Sequence, residues 1–207
     1  RIMEWICYRF PDYWVVPTTH IKYYLCKEYR LDPKQFLVVS NGANADIFHP
    51  MDQISCRNQL ELDSNVKYLL FMGGFKKWHG ILELIEIMTD LIHSDANIKL
   101  LLVGDGELIS ELRARVDVLG LKESVIFCGR RPLAQMPAFI NAADICLAPF
   151  FDERSPYTGL SPLKLFEYMS CGKPVIASGL GGLDEVFESH DIGEVVSSSD
   201  PKKWTPV

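Results

Sequence analysis

The sequence predicts an α/β fold with a doubly wound parallel sheet, and three observations support this prediction. From about residue 66, short apolar runs alternate with segments whose apolar residues recur at helical spacing. The runs are nearly continuous in apolar residues, as expected of strands buried on both faces. Several of them end in glycine. Strict alternation implies right-handed crossovers and helices on both faces of the sheet.

Each element of this segment follows from a local pattern. Apolar residues at helical spacing predict helices over about 81–92, 108–119 and 136–140. Six strands are predicted at Tyr68–Met72, Ile98–Val103, Val125–Cys128, Asp144–Ala148, Val175–Ala177 and Ile192–Val196. Their carboxyl ends would share one rim, which is where such sheets bind ligands.

The first part of the chain is organised differently. Residues 1–50 predict a strand at Trp14–Val16, a helix over about 18–30 and a strand at Phe36–Val39. We expect them to be the end of a preceding domain and the crossover from it. Residues 51–65 are polar and are expected to be a connector, and residues 66–207 form the main domain. Because the sequence begins without Met and stops where another helix could start, we expect a truncated piece of a longer protein.

Composition excludes several classes of function. The net charge of −6 and the lack of a long basic run argue against nucleic acid as a partner. No apolar stretch approaches the roughly 20 residues that a membrane helix needs. Six cysteines without C-x-x-C spacing favour reduced thiols in a cytoplasmic protein over zinc ligands. No D-x-D pair is present, so we expect no metal site.

Three familiar motifs are missing as well. No G-x-G-x-x-G follows the first strand of the main domain, which disfavours a dinucleotide dehydrogenase. Gly172-Lys173 is followed by Pro174 and lacks the glycine spacing of a P-loop. The chain has no G-x-S-x-G elbow, so the usual α/β-hydrolase is excluded.

Residues 158–178 predict a glycine-bearing loop, a helix and a buried strand. Ser161 suits the N-cap of the helix and Pro162 its first position. Gly172 can end the helix, and Pro174 prevents it from continuing.

The start of this helix has free N–H groups that can bind an anion. The donors would be the amides of Leu163 and Lys164, with Ser161 as a third, and the Lys164 side chain adds positive charge. Glu167 lies three residues further on, on roughly the same face. A nucleotide could place its diphosphate on the amides and its ribose hydroxyls on Glu167. The alternative is an ordinary capped helix with a solvated Lys164–Glu167 pair, and spacing alone does not decide between them.

Glycines occur at the predicted carboxyl ends of several strands. Several glycine-bearing loops converging on one rim favour a nucleotide-type ligand, although glycines also simply permit tight turns. These glycines are Gly73, Gly74, Gly104, Gly106 and Gly129, with the loop before Ser161 as a further member. Nearby, Lys76, Lys77 and His79 could present a cation to a diphosphate. Their alternative is a surface loop with two solvated lysines.

Taken together, four segments resemble the family 4 (group 1) glycosyltransferases of the GT-B fold, mostly their C-terminal, donor-binding domain. Residues 40–50 resemble the family's Asn-Gly-Val-Asp…Phe-x-Pro segment, and residues 103–106 its second-strand signature. Residues 125–129 resemble Val-x-Phe-x-Gly, and residues 167–175 resemble Glu-Ala-Met-Ala-x-Gly-x-Pro-Val. The match covers most of the chain, in the correct order.

The resemblance implies two Rossmann-like domains, with the active site in the cleft between them. It also implies metal-independent transfer, with retention of configuration, from a nucleotide-diphosphate sugar to a sugar, lipid-linked or glycan acceptor. No cofactor is implied. Glu167 would bind the ribose, the amides of Leu163 and Lys164 the diphosphate, and Gly129 and Arg130 would border the base. Association with the cytoplasmic membrane face would depend on an N-terminal part that precedes this sequence.

The chain departs from the family pattern at two places. Gly159 stands where the family has the glutamate that contacts the donor sugar, so sugar selection would rest on Tyr157, Thr158 or main-chain groups of the loop that includes Leu160. In addition, the family's Arg and Lys after the first strand correspond to Gly74 and His79. Lys76, Lys77 or a protonated His79 would then have to neutralise the leaving diphosphate.

Three alternatives to a transferase stay open. The chain could belong to a GT-B-fold epimerase that acts on a nucleotide sugar, or to a non-catalytic nucleotide-sugar binding module, or it could be a structural domain without a ligand. If the acceptor half is missing, we expect this chain to bind the donor without efficient transfer.

Overall fold

A computed structural model describes residues 8, 10–150, 161–179, 183–188 and 192–196. The strands are β1 (Trp14–Val16), β2 (Phe36–Val38), β3 (Lys67–Met72), β4 (Ile98–Val103), β5 (Val125–Gly129), β6 (Ile145–Ala148), β7 (Val175–Ser178) and β8 (Gly193–Val196). The helices are α1 (Thr19–Tyr29), α2 (Gln53–Gln59), α3 (Ile81–Ser94), α4 (Ile109–Val118), α5 (Met136–Ala142), α6 (Leu163–Ser170) and α7 (Asp184–Glu188).

The main sheet has six strands in the order β5-β4-β3-β6-β7-β8. Every neighbouring pair in it is parallel. The chain builds outward from β3 to β5, then returns to the other side of β3 and continues to β8. This confirms the predicted doubly wound, Rossmann-like sheet and places its switch point between β3 and β6. Strands β1 and β2 form a separate parallel pair.

Alternating side chains of the strands supply two apolar cores. Leu70 points to one face, where it joins a cluster with residues of α5 and α6 such as Ile140 and Tyr168. Phe71 points to the other face and joins a cluster with residues of α3 and α4 such as Ile85 and Leu112. Burial on both faces explains why the strands are apolar without interruption.

The connector contains a helix that its polar sequence does not predict. Asp52 is the N-cap of α2 and accepts a 2.7 Å hydrogen bond from the amide of Ser55. Cys56 of α2 is buried against Ala138 and Ala142 of α5. The few apolar residues of α2 therefore pack on a neighbouring helix. Residues 51–65 thus contain regular structure, which the prediction of a polar connector did not include.

Predicted strand Asp144–Ala148 begins one residue late, because Asp144 has another role. Its carboxylate accepts hydrogen bonds from the amide of Tyr68 (2.6 Å) and the guanidinium of Arg57 (2.7 Å). Arg57 also donates to the carbonyl oxygen of Ala142 (2.9 Å). The Arg57–Asp144 pair joins α2 to the amino end of β3, away from the carboxyl rim of the sheet.

Within the described residues, no helix is long and apolar enough to cross a bilayer.

Candidate functional site

A cavity of about 790 Å³ opens at the carboxyl rim of the sheet. This volume lies within the range of small-molecule sites. The loops after β3, β4 and β5 border it together with one residue of α6. Its lining comprises Phe48, Met72, Gly73, Gly74, Val103, Gly104, Asp105, Gly106, Ile109, Arg130, Arg131, Leu133, Met136 and Glu167. Of the predicted rim glycines, Gly73, Gly74, Gly104 and Gly106 line this cavity, whereas Gly129 does not.

Two of these loops touch so closely that only glycine fits. A Cβ on Gly104, where φ is +143°, would overlap the carbonyl oxygen of Gly73. A Cβ on Gly106 would lie 2.5 Å from the carbonyl oxygen of Phe75. The amide of Gly73 donates to Val103 (2.9 Å), and the amide of Gly104 donates to Gly129 (2.9 Å). The glycines therefore serve close packing and at the same time form the wall of the cavity.

Lys164 lies beneath the β3 loop, and its Nζ is buried. Its Nζ is 4.1 Å from the centre of the Phe71 ring and 5.4 Å from that of Phe150. Among the described residues this ammonium has no hydrogen-bond partner. A Cβ on Gly73 would lie 3.0 Å from Nζ, which shows how close the charge is to the glycine loop. The alternative interpretation, a capped helix with a solvated Lys164–Glu167 pair, is therefore wrong.

Burial lowers the pKa of Lys164 to about 7, and the negative charge of Glu167 opposes this shift only in part. An unpaired buried cation is costly, so it is expected to have an anionic partner or to lose its proton. The helix that carries it is held firmly, because the amide of Met72 donates a 2.9 Å hydrogen bond to the hydroxyl of Tyr168.

Glu167 is the one described residue of α6 on the cavity wall. Its side chain is half-buried, and this burial raises its pKa, while the charge of Lys164 lowers it. A carboxylate at this position can accept hydrogen bonds from hydroxyl groups of a ligand in the cavity.

His79 lies beside the same glycine loop. Its Nδ1 donates a 2.5 Å hydrogen bond to the carbonyl oxygen of Gly74, and its ring packs edge-on against Phe150. Burial lowers the pKa of His79, with smaller lowering contributions from the charges of Lys164 and Lys76, and the bond to Gly74 opposes them. The lowered pKa of His79 disfavours its protonated form, which argues against a protonated His79 as the diphosphate partner.

Lys76 and Lys77 are exposed, and neither lines the cavity in the described part of the chain. The Nζ of Lys76 lies 5.0 Å from the centre of the Trp78 ring. The solvated alternative fits these two lysines better than the prediction of a cation that faces the diphosphate.

The start of α6 differs from the prediction. The helix begins at Leu163, Pro162 is its N-cap, and no side chain caps it. Ser161 is not the cap, because the side-chain Nδ2 of Asn41 donates to both its carbonyl oxygen (2.9 Å) and its Oγ (2.9 Å). The first amides of α6 therefore have no side-chain acceptor within the described residues.

The end of α6 agrees with the prediction. Gly172 has φ of +68° and donates to the carbonyl of Met169 (2.9 Å), while Lys173 donates to that of Tyr168 (3.1 Å). These two bonds form a Schellman motif, which needs glycine at the left-handed position.

The predicted residues Thr158, Gly159 and Leu160 lie outside the described residues. Eight residues of the cavity wall were not predicted as site residues: Phe48, Met72, Val103, Asp105, Ile109, Arg131, Leu133 and Met136. Arg131 follows Arg130 directly, so a pair of adjacent cations after β5 was a signal for it. Phe48 comes from the segment before α2, and only the fold brings it to the cavity. Within the described ranges, no cluster of three His, Cys, Asp or Glu residues is arranged to hold a metal ion.

Comparison with known proteins points to one family. The family model described as glycosyl transferases group 1 matches residues 66–205. The D-inositol 3-phosphate glycosyltransferase of Segniliparus rotundus is 28% identical over 185 residues, which cover 87% of this chain and 40% of the relative. That of Corynebacterium aurimucosum is 28% identical over 202 residues, or 93% of this chain and 47% of the relative. The chain thus spans less than half the length of these relatives.

Solved structures agree on the fold. Sucrose-phosphate synthase from Thermosynechococcus elongatus has a TM-score of 0.81 at 25% identity, over 99% of this chain and 50% of the other. Anabaena Alr3699/HepE, solved in complex with UDP, has a TM-score of 0.79 at 22% identity, over 95% of this chain and 53% of the other. Both are about twice as long as the matched part. Together with the family model, these matches show that the chain belongs to the group 1 glycosyltransferases.

Proposed function

We propose that this chain is the donor-binding half of a retaining, metal-independent glycosyltransferase that uses a nucleotide-diphosphate sugar. The observation that carries the proposal is the buried ammonium of Lys164, which is unpartnered within the described residues and belongs to the first turn of α6, a helix that no side chain caps. Family membership favours glycosyl transfer as the reaction class. The chemistry of the site then indicates an anionic group at the start of α6.

Three parts of the site have complementary roles. The amides of Leu163 and Lys164, with the positive end of the helix dipole, bind the diphosphate. The ammonium of Lys164 neutralises it from below, in a region of low dielectric where the interaction is strong. Glu167 accepts hydrogen bonds from the ribose hydroxyls, and Arg130 borders the nucleobase at the far side of the cavity.

The same groups assist the chemical step. When the bond from the sugar to the diphosphate breaks, negative charge develops on the leaving phosphate. Lys164 and the fixed amides stabilise that charge without having to reorganise. Lys164, already a candidate for this role from the sequence, is thereby preferred over Lys76, Lys77 and His79. Glu167 positions the donor and transfers no proton.

The acceptor is a hydroxyl of a sugar, a glycan or a lipid-linked glycan, bound by residues that precede this chain. No cofactor takes part. The relatives' greater length supports a second half for the acceptor. The protein is cytoplasmic, because nucleotide sugars and reduced thiols occur together in the cytoplasm. Fractionation of cells that produce the full-length protein tests this location.

Binding by this chain tests the proposal most simply. Calorimetric titration with UDP, GDP and ADP should give saturable binding of at least one of them. UDP is the first candidate, because the Anabaena neighbour was solved with UDP and with UDP-glucose. Failure of all three would contradict the proposal and favour a structural domain without a ligand. EDTA should leave the affinity and the transfer by the full-length enzyme unchanged.

A non-catalytic binding module is the second candidate, because Gly159 stands where the family has its sugar-contacting glutamate, and a GT-B-fold epimerase is a further alternative. Incubation of the full-length protein with the donor alone distinguishes them. An epimerase converts the donor without an acceptor, a transferase needs the acceptor, and a binding module gives no product in either case. The anomeric configuration of the product, measured by NMR, tests retention.

A further inference from the structure

Asn41 and Ser161 are 120 residues apart in sequence and joined by two hydrogen bonds. Asn41 lies in the segment that leads from β2 to α2, and Ser161 lies two residues before α6. The two N–H bonds of a side-chain amide are both used here, one on the carbonyl oxygen and one on the hydroxyl of Ser161. Asn41 therefore fixes both the backbone and the side chain of Ser161.

The segment that carries Asn41 is itself anchored. Ser170, in the last turn of α6, donates to the carbonyl of Phe48 (2.5 Å). Asn141 of α5 accepts from the amide of Met51 (2.9 Å) and donates to the carbonyl of His49 (3.0 Å). These contacts tie the segment to both helices of this face. Asn41 thus acts from a fixed position and not from a free loop.

The serine that Asn41 holds is a natural cap for α6. If Ser161 were the N-cap, its Oγ would accept from the amide two or three residues on, which is Leu163 or Lys164. These are the amides that the proposed function gives to the diphosphate. A capping hydroxyl and a diphosphate would therefore compete for the same donors. In the structure no side chain caps α6, and the hydroxyl of Ser161 is turned toward Asn41.

We infer that Asn41 is a positioning residue that withdraws Ser161 from the start of α6 and so keeps these amides open for the donor diphosphate. The inference rests on the proposed function. It also gives a physical reason for an asparagine in the segment that connects the two domains: this side chain prepares the donor site, although it lines no part of the cavity.

Two variants test the inference through a rescue that a purely structural role would not produce. Asn41→Ala releases Ser161, whose hydroxyl then caps α6 and weakens binding of UDP, GDP or ADP, whichever binds most tightly. The loss should be roughly 2- to 30-fold, since a capping bond is worth about 0.5–2 kcal/mol. The double variant Asn41→Ala with Ser161→Ala has no competing hydroxyl and should recover most of this loss. The matching nucleoside, which has no diphosphate, should bind alike to all three proteins.

Asn65 is exposed and remote from the cavity, so Asn65→Ala is the matched control. Thermal unfolding of each variant reports on the fold. Two results would overturn the inference alone: unchanged affinity of Asn41→Ala in a wild type that binds, or equal weakening in the single and double variants. If the wild-type chain binds none of the three diphosphates, the proposed function fails, and the inference fails with it.

Discussion

The ammonium of Lys164 lies 4.1 Å from the centre of the Phe71 ring, at the point where β3 ends and the glycine loop begins. The aromatic face offers a cation some compensation, but less than water or a carboxylate does. The burial of this charge is therefore a cost to folding that a bound anion would recover.

Replacement of Lys164 by Met should change how stability depends on pH. The folded-state pKa of Lys164, about 7, lies below its ordinary value of 10.5, so the unfolded chain binds more protons between these values. Wild-type stability, measured relative to Lys164→Met, should then rise with pH from about 7 to about 10, by up to roughly 1.4 kcal/mol per pH unit. Urea unfolding at pH 7, 8 and 9 measures it. A constant difference between the two proteins would show that folding does not lower the pKa of Lys164.

Binding of a diphosphate should take up protons. At pH 7 Lys164 is about half protonated, and an anion nearby raises its pKa, so up to roughly half a proton is absorbed per site. Glu167 and His79 also face this region, so calorimetry in two buffers of different ionisation enthalpy should compare wild type with Lys164→Met. Between pH 7 and 9 the wild-type affinity should fall and that of the variant should stay level. Equal proton uptake in both proteins would assign the linkage to another group.

Glu167→Ala should remove discrimination at the ribose. Wild type is expected to bind UDP about 10-fold or more tightly than its 2′,3′-dideoxy analogue, because each hydroxyl bond to a carboxylate is worth about 1.5 kcal/mol or more. The variant should bind both ligands with similar, weaker affinity. If it still prefers UDP by the wild-type factor, Glu167 does not bind the ribose.

Gly104→Ala should damage both stability and binding. The added Cβ would overlap the carbonyl oxygen of Gly73, at a φ that only glycine adopts readily. The melting temperature should fall by several degrees, in line with a loss of about 2 kcal/mol or more in the free energy of unfolding. Gly42→Ala is the matched control, because a Cβ there meets nothing within 4 Å. Equal melting temperatures for the two variants would contradict the close packing of the two loops.

Arg57→Ala should destabilise the fold without changing nucleotide affinity per folded molecule. The Arg57 side chain is only 7% exposed and is bonded to Asp144, whose side chain is 36% exposed. Loss of a fully buried partner costs about 3–5 kcal/mol, and the exposure of Asp144 reduces our expectation to about 2 kcal/mol. Arg115→Ala, which breaks an exposed pair with Glu86, should have little effect. Equal effects in urea unfolding would show that α2 is not held by this ion pair.

Local patterns predicted much of this molecule, and long-range contacts account for most of what they missed. The predicted strand Ile98–Val103 matches β4 at both ends, because a doubly buried strand is marked by its own apolar residues. The prediction that Ser161 is the N-cap of α6 was wrong, because Asn41, far away in sequence, binds that serine. Likewise, the spacing of Lys164 and Glu167 resembles that of any exposed helical pair. Only packing against Phe71 and Phe150 reveals that the lysine is buried.

The central claim is that Lys164 and the start of α6 hold a nucleoside diphosphate, and calorimetric titration of wild type and Lys164→Met with UDP, GDP and ADP tests it most directly. At least one diphosphate should bind to wild type. Its affinity should fall about 10-fold or more in the variant, since a charge-assisted bond contributes about 1.5–3 kcal/mol. The variant should fold at least as stably as wild type at pH 7. Binding of equal strength in both proteins, or none in wild type, would contradict the claim.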